Sequence, residues 1–144
     1  MKKYTGPKVL PTVDIAAINL EDDMLVLVRR PNEPLWRFPG GFADVNCESY
    51  ENDALRELKE ETNIYGNNIE YIGSTCIDDP RYKKSKDKIK TMFFAVTKWN
   101  GEFNAVDDLK GGEIKLLDAH TVTPEMLMPE HRVLLTMLLN WLQW

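Results

Sequence analysis

The chain has 144 residues, enough for one domain spanning 1–144 with a buried core. Its net charge of −5 argues against general affinity for nucleic acid or for an anionic membrane. It has no apolar run long enough to span a bilayer, the N-terminal stretch lacks a signal peptide's apolar centre, and Cys47 and Cys76 do not form a metal-type pair, so a cytoplasmic location with free thiols is expected.

Residues 1–11 read as a lead-in. Residues 12–20 (TVDIAAINL) read as a mostly apolar strand, Glu21-Asp22-Asp23 as a turn, and 24–30 (MLVLVRR) as a second strand, so the two form a hairpin. A Pro-bounded loop leads to a short strand at 36–38 and then to a Pro39-Gly40-Gly41 turn. The next segment is a helix. Ser49 caps it, since its hydroxyl can accept from an orphan N–H of the first turn. Asn63 stops it, since Asn tolerates the left-handed conformation. Strands follow at 69–77, at 89–99 (rich in β-branched and aromatic residues, hence central) and at 113–117. A polar loop covers 78–88, and 103–112 is irregular. Thr123 and Pro124 begin a short helix, and Pro129-Glu130 begins another that runs to the C-terminus. This order implies a mixed α/β protein, with a sheet clamped between helices.

In the first helix Ala54, Leu55, Leu58 and Thr62 share one face, which packs on a core, while Asp53, Glu57, Glu60 and Glu61 lie opposite. Glu57 and Glu61 are four apart and repel, with Glu60 beside both. No Lys or Arg stands at i+4 from Glu57 or Glu60, and Arg56 and Lys59 are expected to point to the sides. Such a cluster is either a solvated acidic face or a site for a hard divalent cation, which takes carboxylate, water and phosphate oxygens. The preceding Gly40-Gly41 pair, which brings bare backbone close, favours the cation.

Residues 38–64, FPGGFADVNCESYENDALRELKEETNI, resemble the Nudix box of Nudix hydrolases. Gly41 matches the opening Gly, Glu48 the first Glu, and Arg56-Glu57-Leu58-Lys59-Glu60-Glu61 the core. One extra residue lies between Gly41 and Glu48, and Asn63 stands where the family has Gly. The resemblance implies an α/β/α sandwich with a mixed sheet. It implies that Glu57, Glu60 and Glu61, with the Gly40 carbonyl, hold Mg²⁺, with Mn²⁺ as a substitute. It also implies that Arg56 orients box carboxylates, with Glu48 and Glu57 as candidate partners. A further acid from a distant loop is common in the family. Asp107, Asp108 and Glu113 are the candidates, and Glu113 is placed first because Gly111-Gly112 before it gives the loop room. Asp107-Asp108 is similar to a pair in Nudix domains linked to adenylyltransferases. The general base is one of these three or Glu57 or Glu60.

Substrate contacts are assigned to Arg81, Trp36, Arg37 and Arg29. Arg81 and Lys83, Lys84, Lys86 and Lys88 form either a solvated hairpin tip or a rim that attracts phosphate. Asp78-Asp79-Pro80-Arg81 is similar to the ADP-ribose-cleaving branch. Trp36 is core or a pocket wall that stacks on a base. Arg29 and Arg37 are phosphate contacts by strand alternation, or edge charges. His120 and His131 show no pattern beyond surface or cap duty.

The resulting expectation is a Mg²⁺-dependent hydrolase of a nucleoside diphosphate linked to another group, with ADP-ribose or a similar sugar nucleotide first. A nucleoside triphosphate, oxidised ones included, is second. A Nudix-fold module that senses a nucleotide without cleaving it ranks low, because the box carboxylates are kept. The apolar residues Val133, Leu134, Leu135, Met137, Leu138, Leu139, Trp141 and Leu142 exceed what one helix face needs, which suggests a homodimer through this helix or the adjoining sheet edge.

Overall fold

The computed structural model describes residues 2–104 and 112–144. Strands β1 (Val9–Asn19), β2 (Met24–Arg29), β3 (Gly40–Phe42), β4 (Tyr65–Ile77), β5 (Lys88–Asn100) and β6 (Glu113–Asp118) alternate with helices α1 (Tyr50–Thr62) and α2 (Arg132–Leu142). The sheet order is β4-β5-β1-β2-β6, with β3 also on β1. β1 runs parallel to β5, and the other strand pairs among the described residues are antiparallel.

Side chains alternate across β1, and each set has its own helix. Val13, Ile15 and Ala17 pack with Ala54 and Leu58 of α1. Ala16 and Ile18 pack with Leu134, Leu135 and Leu138 of α2. A mixed sheet thus lies between two helices, as expected. Among the described residues no helix is long and apolar enough to cross a membrane.

Several local expectations need correction. The Gly40-Gly41 pair is not a turn: it begins β3, with Asp14 opposite Gly40 and Val13 opposite Gly41. β2 pairs with β1 only at Ile18 and Asn19, which leaves the Thr12–Asp14 edge for β3. The strand expected at 36–38 is reduced to isolated bridges, Trp36 to Leu127 and Arg37 to Val28. The central strand is β1, with β5 beside it. In α2, Met137, Leu139, Trp141 and Leu142 also pack against the core, and Val133 is 40% exposed. The apolar surplus that suggested a second copy is therefore largely used inside the protomer.

Candidate active site

α1 begins and ends as its sequence dictates. The Ser49 hydroxyl accepts the Asn52 N–H at 3.0 Å. Asn63 takes φ 65°, and its N–H donates to the Lys59 carbonyl. The acidic residues are not a solvated face. Asp53, Glu57 and Glu61 recur every four residues and are all buried, bordering Ala54, Leu58 and Thr62, while Glu51, Asn52 and Lys59 face solvent. The buried acids run beneath β3.

Arg56 does not point aside. Its Nη1 donates to Glu60 at 2.8 Å, and its Nη2 donates to Asp53 at 2.7 Å and to Glu57 at 3.0 Å. The expected partner Glu48 is exposed, and Asp53 takes the place assigned to it. Asp53 also accepts the Asp44 N–H at 2.8 Å, which ties the loop before α1 to the helix. Arg56 thus offsets the charges of Glu57 and Glu60, while Glu57 and Glu61 remain like charges one turn apart.

The two glycines exist for close approach. A Cβ on Gly40 would overlap the Val13 carbonyl oxygen and the Asp14 carboxylate, and one on Gly41 would stand 2.6 Å from Glu57 Oε1. Glu61 Oε1 accepts the Gly40 N–H at 3.3 Å, while its Oε2 is buried with no partner. Burial pushes the Glu61 carboxyl up to about 8, reinforced by the charge of Glu57 and opposed by Arg30. Burial likewise pushes Asp14 up to about 7, against the Thr91 hydrogen bond and the charges of Arg37 and Arg30.

Glu57, Glu60, Gly40, Arg56, Arg37 and Arg81 line one cavity of about 670 Å³. Its volume is in the range of small-molecule sites. Glu61 adjoins it through Gly40. Besides Glu61, three expected residues do not line it. Arg29 and Glu113 face each other across β2 and β6 and form an ion pair. Trp36 lies under Arg29 and Lys115, whose charges sit 5.6 and 5.8 Å from its ring centre. The structure therefore gives Glu113 a partner on the sheet, not a place among the α1 carboxylates. Arg30, one residue on from Arg29, reaches the cavity in its stead. Asp107 and Asp108 lie outside the described residues.

Arg37 is buried and neutralised. Its Nε and Nη2 donate to Glu33 at 2.8 and 2.5 Å, and Nη2 also donates to Glu130 at 2.9 Å. Arg81 lies on the rim with a side chain 64% exposed, chelated by Asp79 at 2.7 Å. None of the four loop lysines lines the cavity.

Sequence reasoning missed Asp14, Glu130 and His131, all on the cavity. Asp14 had a signal, a single acid inside an apolar strand. His131 had none. It is 4% exposed, and its Nδ1 accepts the Phe38 N–H at 3.0 Å. Its Nε2 lies 3.2 Å from Arg37 Nη1 and 3.6 Å from Asp14. Burial holds its pKa well below the ordinary value, helped by Arg37 and Arg30.

Comparison with known proteins agrees with this architecture. The NUDIX domain family model matches residues 9–138. A stretch of 61 residues is 33% identical to "Putative ADP-ribose pyrophosphatase YjhB" of Bacillus subtilis (strain 168), covering 41% of this chain and 29% of that protein's length. The NUDIX domain of Shewanella oneidensis NrtR, solved with ADP ribose, is 26% identical over 96% of this chain and 90% of that one, with a TM-score of 0.69. A bifunctional NMN adenylyltransferase/ADP ribose pyrophosphatase from Francisella tularensis, solved with AMP and a Mn ion, is 25% identical. That match covers 95% of this chain and 42% of the other, with a TM-score of 0.65.

Proposed function

This chain belongs to the NUDIX domain family; on that premise we propose that it is a pyrophosphohydrolase and cleaves the diphosphate of a nucleoside diphosphate linked to another group, ADP-ribose or a similar sugar nucleotide first. The observation that carries the reading is Glu61, a buried carboxylate with one oxygen lacking any partner, beside Glu57 and bonded to Gly40 at the cavity. Among the described residues no three acid, imidazole or thiol side chains are gathered around one point, and Arg56 pairs with Glu57 and Glu60. The donors are nonetheless all oxygen, and a buried, unsatisfied carboxylate is what a hard cation relieves.

Glu57, Glu60, Glu61 and the Gly40 carbonyl would hold Mg²⁺, or Mn²⁺ as a substitute. When bound, such an ion neutralises phosphate charge and lowers the pKa of a bound water. Arg56 keeps Glu57 and Glu60 side by side, and one of these two carboxylates takes the proton of the attacking water. Arg81, on the rim, pairs with phosphate once released from Asp79.

The choice of ADP-ribose is supported by the naming of the Bacillus relative and by the ADP ribose bound to the Shewanella domain. A panel of ADP-ribose, dinucleotides, sugar nucleotides and triphosphates, with products resolved, tests it. Mg²⁺-dependent release of AMP from ADP-ribose at the highest kcat/KM is the expected result. A preference for triphosphates would overturn the substrate assignment, and no turnover on any of them would overturn the whole reading.

A further inference from the structure

The cavity has a second end, away from the α1 carboxylates. Thr12 and Asp14 lie on the same face of β1 as Ala16 and Ile18, the face covered by α2. Ile77 and Ile89, cross-strand neighbours on β4 and β5, share that face and line the cavity beside Thr12. Glu130 and His131, in the turn before α2, stand over them.

Two polar atoms at this end lack partners. Glu130 is 8% exposed; its Oε1 accepts from Arg37, and its Oε2 is buried with no hydrogen bond. Thr12 is 9% exposed, and its Oγ1 also has no partner. An unpaired buried oxygen is costly, more so on a charged group. Arg37 does not supply the missing bond, since its Nε and Nη2 are engaged by Glu33 and by Glu130 Oε1, and its Nη1 faces His131.

Building on the nucleotide reading above, we propose that this end is a base subsite in which Glu130 selects bases that carry a hydrogen-bond donor on their pairing edge. The apolar wall of Ile77 and Ile89 suits a planar ring. A sugar would bring more hydroxyls than two orphan atoms can satisfy. A carboxylate oxygen accepts and does not donate, so the group that meets it carries N–H. The terminal torsion of Glu is broad, so a modest rotation presents Oε2 to the cavity. The Thr12 hydroxyl can donate to a ring nitrogen or carbonyl alongside.

The test is equilibrium binding of AMP, IMP and purine riboside 5′-monophosphate to the metal-free protein. The last has acceptors only on its pairing edge. Wild type is expected to bind AMP and IMP at least about tenfold more tightly than purine riboside monophosphate, since an unmet buried acceptor is what such a site discriminates against. In Glu130→Gln, Arg37 keeps the amide oxygen and the NH₂ turns to the cavity, so the order shifts toward purine riboside monophosphate. Glu33→Gln also takes a partner from Arg37 but leaves the orphan oxygen, and it keeps the wild-type order. Equal affinities in wild type, or an unchanged order in Glu130→Gln, would overturn the inference and leave the nucleotide reading standing. Failure of all three to bind would overturn both.

Discussion

Arg56 and Glu60 stand one helical turn apart and meet at 2.8 Å, which leaves Arg56 Nη2 free to hold Asp53 and Glu57 together. One guanidinium thus positions the carboxylates of three successive turns. A lysine has a point charge and no fork, and cannot hold that arrangement. Arg56→Lys is therefore expected to lower kcat by at least about tenfold, in line with loss of groups that orient metal ligands. It should also raise the Mg²⁺ concentration needed for half-maximal rate while the far-ultraviolet spectrum is unchanged. Wild-type metal dependence in this variant would remove the positioning role.

Gly40 and Gly41 should fail differently. A methyl at Gly40 meets the backbone of β1, which cannot yield, so Gly40→Ala should lose about 1–3 kcal/mol in denaturant unfolding. A methyl at Gly41 meets only the end of the Glu57 side chain. Gly41→Ala should keep most of its stability yet lose turnover by roughly a hundredfold, because it moves Glu57. If the two variants lost stability equally, the distinction between fixed backbone and movable side chain would be refuted.

The raised pKa of Glu61 makes the metal-free protein sensitive to alkali. The folded state holds a proton that the unfolded chain releases near 4.5, so stability is greatest below that value and is lost as pH rises through about 8. Asp14 acts in the same direction, ending near 7. His131, held neutral, acts oppositely, and only as pH falls below its ordinary value of 6.5. Across about pH 7 to 8.5 Glu61 makes the larger contribution, with Asp14 adding to it near pH 7. Thermal unfolding without metal should show Tm falling across that interval in wild type and falling less in Glu61→Gln. Saturating Mg²⁺ should abolish the fall in wild type, and Glu61→Gln should cut turnover severely. A Tm fall as steep in Glu61→Gln as in wild type would assign it elsewhere.

Arg81 lines the cavity and Lys84 does not. Losing a guanidinium–phosphate contact costs about 1.5–3 kcal/mol, roughly ten- to a hundredfold in kcat/KM. Arg81→Ala should therefore lower kcat/KM for ADP-ribose at least about tenfold, and Lys84→Ala much less, at fixed ionic strength. Equal and negligible losses would return the whole loop to solvent.

What was legible in the sequence was whatever the chain states locally. Ser49 and Asn63 bound α1 by their own chemistry, and the spacing of the acids located the site. What was not legible depends on residues far along the chain. Gly40 and Gly41 read as a turn because nothing beside them reveals Val13 and Glu57 across the gap. Strand alternation points to Arg29 yet Arg30 lines the cavity, because alternation gives a period but not which phase faces it. Glu130 and His131 carry no local pattern, and their role comes from Arg37 and Phe38, more than ninety positions earlier. Asp53 falls with the acidic cluster by spacing alone, and its burial goes with the Asp44 N–H and Arg56 bonded to it, which the spacing does not show.

The parallel pairing of β1 with β5 also sets the order in which the protein can be assembled during synthesis. β1, β3 and α1 are near neighbours in sequence, so the carboxylate end of the cavity can gather from a nascent chain of modest length. β1 cannot complete its other edge until β5 has been made, and Glu130 and His131 arrive later still. Non-local strand pairing of this kind is slow, because loop closure must precede the contacts that reward it. An emerging chain thus carries its acidic cluster, with like charges close together, before the sheet that encloses it is whole.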